Sequence, residues 1–158
     1  MTDNYIGIDS DDVPMDIVVG ILGGAFFIFL KMSGTWFIFG IPAVVLGYGE
    51  QVLVVCILAP LLEEGCFRSM IFTWFLELTG ESLLISIVFQ AVLFSVFHWA
   101  VYGGVAMMGS LVGAGIFGVV AGGIAYQRDS IIPSIIMHSM LNLMILNSMM
   151  GYVSIGGA

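Results

Sequence analysis

Six polar side chains stand in stretches of this sequence that are otherwise apolar: Glu63, Glu64, Arg68, His98, His138 and Asn142. The first three fall within the ten residues A-P-L-L-E-E-G-C-F-R, from Ala59 to Arg68. If that stretch is helical, each residue turns about 100°. Arg68 then lies about 40° from Glu64, which suits an i,i+4 ion pair, whereas Glu63 points about 140° away. One carboxylate is neutralised locally and the other is left to face a cavity. Charges at the centre of a membrane helix cost roughly 2.5–3.5 kcal/mol each on insertion scales, so this cluster demands a reason. His98 shares a helix face with Phe94, and His138 shares one with Asn142.

This set can hydrolyse an amide. A Glu–His pair activates water as a general base, and a second histidine with an amide donates to a developing oxyanion. Glu63, His98 and His138 could instead ligate zinc as a His₂Glu set, although the H-E-x-x-H spacing of helical zinc proteases is absent. A covalent nucleophile is disfavoured, and Ser95, Ser139 and Cys66 are the candidates for that role. The bland alternative is interhelical glue, which suits Gln90, Gln51 and Asn147. It does not suit two carboxylates with two imidazoles. Two further classes stay open at this point, a non-catalytic binding or immunity protein and a carrier using its carboxylates as a proton relay.

The elements that must position these residues are membrane helices. The chain has 158 residues, 60% hydrophobic and 9% charged, with a mean hydropathy of +1.14. That composition specifies an all-α, polytopic membrane helix bundle in a single domain. Six segments are expected: Met15–Met32, Thr35–Tyr48, Gln51–Leu78, Leu83–Val101, Val105–Tyr126 and Ile131–Met150. Thr35–Tyr48 carries Pro42 and Gly47 and reads as a short span or a re-entrant piece. Pro60 should kink the third segment, and the glycines of the fifth should let a neighbour approach closely. Residues 1–14 read as an acidic, solvent-exposed tail, and residues 15–158 as the transmembrane domain. Asp3, Asp9, Asp11, Asp12 and Asp16 are counted in that solvated charge.

Eleven acids against Lys31, Arg68 and Arg128 give a net charge of −8. A nucleic-acid partner is excluded, because no basic surface exists to neutralise phosphates. With six crossings, Lys31 and Arg128 fall on one side, which the positive-inside rule makes cytoplasmic. Cys56 and Cys66 are ten residues apart, about 15 Å along a helix, and cannot pair.

E-E-G-C-F-R, F-S-V-F-H and H-S-M-L-N resemble, in order, the E-E-x-x-x-R, F-x-x-x-H and H-x-x-x-N motifs of the CAAX prenyl protease and bacteriocin-processing family. The flanks A-P-L-L and F-G-V-V-A-G-G-I-A-Y-Q-R-D-S-I-I-P-S-I-I-M agree as well. The resemblance covers about residues 57–147. It implies a multi-pass intramembrane endopeptidase of the glutamic type, needing no cofactor and sited in a membrane, the cell membrane if the source is prokaryotic. It further implies that Glu63 activates water with His98, that His138 and Asn142 form the oxyanion hole, and that Glu64 and Arg68 support the site. Its partners would be the lipid bilayer and a peptide or protein substrate. Eukaryotic members cleave prenylated CAAX peptides, while prokaryotic relatives act on other peptides or serve bacteriocin maturation and self-immunity. One difficulty remains: Glu63 and His138 sit about 18 Å from the outer end of their spans, and His98 only about 5 Å.

Overall fold

The computed structural model describes residues 6–8, 11–35, 48–102 and 107–155. The described residues form five helices. Helix α1 is Val13–Thr35. Helix α2 runs without a break over residues 48–78. Helices α3, α4 and α5 are Leu83–Tyr102, Met107–Arg128 and Ile132–Ile155. Three of the five are long and apolar enough to cross a membrane, with a shorter apolar stretch over Ile132–Leu146 in α5. Large apolar side chains such as Leu22, Phe29, Leu62 and Leu84 point outward, as they do in a bundle solvated by lipid. The expected Thr35–Tyr48 segment lies, but for its two ends, outside the described residues.

Helix α2 is not the simple kinked helix that Pro60 suggested. Two π-helical stretches, Val54–Leu58 and Gly65–Ile71, flank the ordinary turns of Ala59–Glu64. The Ala59 N–H reaches back five residues to the Val54 carbonyl, so the next carbonyl, Val55, would look to residue 60 in the same register. Proline has no N–H to offer. Pro60 thus leaves a carbonyl to be satisfied from outside the helix, and π turns of this kind concentrate at functional sites.

The turns are legible in chemical terms. Gly80 takes a φ of 62° just past the end of α2, and the Glu81 N–H closes on the Leu76 carbonyl at 2.7 Å, the signature of a glycine-terminated helix. At the other end of α4, the Ile132 N–H donates to Ser130 Oγ at 3.2 Å, capping α5 ahead of Pro133.

Small residues set the spacing between helices. A Cβ at Gly118 would lie 2.9 Å from the Cα of Ala91, so α3 and α4 meet backbone to backbone there. The fifth expected segment does supply this contact. A second glycine contact belongs to α1: a Cβ at Gly20 would lie 2.8 Å from Ile136 Cβ and 3.0 Å from the Pro133 carbonyl. Gly23 and Gly24 follow against Met137 and Met140, which makes α1 and α5 parallel neighbours. Phe27, Phe67, Phe94, Phe117, Ala121 and Met137, drawn from all five helices, form the main core.

Two expectations about charge need correction. Asp16 is fully buried and accepts from Arg128 Nε at 2.7 Å. The tail is likewise not wholly solvated, since Ile6 is buried with Phe72, Ala125 and Ile131, and the Ile131 N–H donates to the Gly7 carbonyl at 3.0 Å. Arg128 therefore sits at the N-terminal end of α1. Lys31 lies fifteen residues further along that helix, about 22 Å away. The two positions fall at opposite ends of α1, and the positive-inside argument no longer assigns a side.

Candidate active site

Three helices carry the six residues and bring five of them, all but Asn142, into one network of contacts. Glu64 Oε2 lies 3.0 Å from Arg68 Nε, with both side chains fully buried. This i,i+4 pair is the one expected from helical spacing. The contact is close but poorly aligned, for neither atom makes a hydrogen bond of acceptable angle among the described residues. Arg68 is held in addition by Gln90 Oε1, which accepts from NH1 at 3.0 Å. The Phe94 ring lies 4.3 Å below the guanidinium carbon, at a distance where the ring face attracts a cation.

Glu63 points to the other side, as expected, into a gap bounded by both histidines. Its Oε2 lies 3.5 Å from His98 Nε2 and 3.8 Å from His138 Nε2. One candidate ligand atom from each of Glu63, His98 and His138 falls within 4.8 Å of the others. Glu63 and His98 keep some access, with 17% and 13% of their side chains exposed, against 5% for His138.

Hydrogen-bond bookkeeping fixes what these atoms present. His98 Nδ1 lies 3.0 Å from the Phe94 carbonyl, which can only accept, so Nδ1 carries the hydrogen. His138 Nδ1 lies 2.8 Å from Glu64 Oε1 and donates to it. In their neutral forms, then, both rings turn an Nε2 lone pair toward the Glu63 carboxylate. Three acceptors converge with no donor among them, and Glu63 Oε2 makes no hydrogen bond among the described residues. Such a gap calls for a proton, a water or a cation.

Asn142 lies on the expected face of α5, and its Nδ2 donates to the Val55 carbonyl at 2.8 Å. That is the carbonyl Pro60 leaves without a helical partner. The amide has a second hydrogen to give.

The depth difficulty disappears when residues are counted from the α2–α3 turn rather than from the outer ends of the spans. Glu63 is fifteen positions before Leu78, and His98 fifteen after Leu83. Antiparallel helices leaving one turn reach the same level, about 22 Å from it.

Gln90 is the residue that sequence reasoning set aside as glue. A signal was present: Gln90, Phe94 and His98 recur every four residues and so share one face of α3. Cys56 and Cys66 are both free, the first buried and the second exposed.

Acid and imidazole side chains from three helices thus meet in one largely buried cluster. The family model for type II CAAX prenyl endopeptidase, Rce1-like, matches residues 47–144, and the chain belongs to that family. The match takes in α2, α3 and α4, most of α5, and all six residues of the site. The family is one of membrane proteases. Among curated proteins and solved structures, none matches this chain significantly.

Proposed function

We propose that this protein is a multi-pass intramembrane endopeptidase in which Glu63, assisted by His98, activates water to hydrolyse a peptide bond. The single observation that carries the reading is the convergence of Glu63 Oε2 with the two Nε2 atoms. A water seated beside them can donate to the carboxylate and direct an oxygen lone pair at a scissile carbonyl. Glu63 takes the proton, hydroxide adds to the carbonyl carbon, and a tetrahedral oxyanion forms.

The oxyanion needs donors. With a proton on His138 Nε2, that ring stands between Glu63 and Glu64 and donates toward the gap. Asn142 supplies the Nδ2 hydrogen not given to Val55. Collapse of the intermediate breaks the C–N bond, and the proton held by Glu63 and His98 passes to the leaving amine. Glu64 and Arg68 touch no reacting atom in this scheme; they orient His138. The substrate is a membrane-associated peptide or protein, prenylated at a CAAX end if it follows the family name. It would reach the site past the partly exposed Glu63 and His98.

The test is cleavage of a peptide library, with lipidated and plain members, by detergent-purified protein and mass spectrometry of the products. Internal cleavage at a recurring sequence is expected. Full-length peptides recovered intact under all conditions would count against the reading.

A second reading has its own support. The 4.8 Å grouping of Glu63, His98 and His138 could hold a divalent cation, and the bond from His138 Nδ1 to Glu64 is the kind of outer contact that orients a ligating imidazole. Bound there, a cation would supply Lewis-acid activation of water.

A further inference from the structure

We propose that Gln90 is a positioning residue for this site, fixing Arg68 and through it Glu64 and His138; the inference rests on the peptidase reading above. Gln90 is fully buried on a helix whose other faces are nearly all apolar. Glue would spend the amide on backbone alone. Its Nε2 does donate to the Ile87 carbonyl at 3.1 Å and to the Gly118 carbonyl at 2.7 Å. Both of those partners can only accept, so the amide cannot flip, and its oxygen must face the guanidinium.

That oxygen matters to Arg68 more than its distance suggests. Arg68 Nε and NH2 make no well-aligned hydrogen bond among the described residues. The NH1 bond to Gln90 is therefore what sets the orientation of the guanidinium plane, with Phe94 beneath it. Helix α4 is shaped to admit the amide: Gly118 provides the carbonyl, and a Cβ at Gly122 would lie 2.5 Å from Gln90 Nε2. The chain of contacts then runs from Gln90 to Arg68, to Glu64, to His138 Nδ1, with His138 Nε2 turned to Glu63. Outer partners that orient metal-ligating histidines typically change activity 10–100-fold when removed, and an effect of similar size is expected here.

The experiment separates positioning from glue. Gln90→Met removes every hydrogen bond at similar shape, and Gln90→Glu keeps an acceptor for Arg68. His138 is one of only two histidines, so ¹⁵N-histidine labelling reports its Nδ1–H bond to Glu64 directly, beside kcat and KM on a cleaved peptide. Gln90→Met should lower kcat about 10–100-fold with KM little changed, and should weaken the protected Nδ1–H signal. Gln90→Glu should restore much of both. If Gln90→Met does not fold, Gly122→Ala, which crowds the amide from α4, should move both readouts the same way. An unchanged His138 signal and unchanged kcat in the folded variants, with only the melting temperature lowered, would make Gln90 glue and overturn the proposal. A wild-type protein that cleaves no peptide, yet whose His138 signal depends on residue 90, would leave the positioning standing and remove the peptidase reading.

Discussion

His138 Nδ1 donates to Glu64 Oε1 across 2.8 Å in a fully enclosed setting, so Glu64 serves two partners rather than one. Helical spacing assigned it to Arg68 alone. In the proposed mechanism that second contact gives the two adjacent glutamates separate tasks. One fixes the imidazole, and the other faces the same imidazole from the gap.

Glu64→Gln should accordingly be a structural lesion before it is a chemical one. It strands the buried Arg68 charge, a loss that typically costs about 3–5 kcal/mol. Thermal unfolding in detergent should show a large drop in melting temperature. A Glu64→Gln protein as stable as wild type but inactive would exchange the roles assigned to Glu63 and Glu64.

Asn142→Ala removes two things at once. The Val55 carbonyl loses its donor, worth about 1–3 kcal/mol for a buried polar group left unsatisfied. In the proposed mechanism the oxyanion also loses a donor, a loss typically worth 10²–10³ in turnover. Both a modest fall in stability and slow residual cleavage are expected, with KM little altered. Lowered stability at full turnover would confine Asn142 to bridging α5 and α2.

Much of this was legible in the sequence, and the gaps have physical causes. The expected segment ends at Leu78 and Leu83 coincide with the turn between α2 and α3, and i,i+4 spacing placed Glu64 against Arg68. The π turns of α2 were hidden, because a five-residue hydrogen bond leaves no trace in an apolar pattern. The pairing of Asn142 with Val55 depends on those turns and was hidden with them. Gln90 was visible on the His98 face of α3, but its partner on α2 was not. Asp16 looked like part of a solvated tail until its partner, 112 residues further on, came within reach.

Gly20→Leu tests the parallel contact of α1 with α5. The side chain has no room beside Ile136 and Pro133, and overpacking costs about 1–3 kcal/mol or more. A lowered melting temperature is expected, and because Ile136 lies two residues before His138 on α5, kcat should fall with it. An unaltered melting temperature would show that α1 does not pack on α5 at this position.

Chelation separates the two chemical readings. If Glu63 and His98 activate water by themselves, EDTA or phenanthroline leaves peptide cleavage at its original rate. Loss of activity with recovery on adding zinc would favour the cation held by Glu63, His98 and His138.

The most direct test of the central claim is the turnover of Glu63→Gln beside wild type, on a peptide identified as cleaved and with both proteins shown to melt alike. The substitution keeps the shape and removes the base. The account predicts no detectable product from Glu63→Gln at equal fold stability. Cleavage by Glu63→Gln at a rate near that of wild type would contradict it.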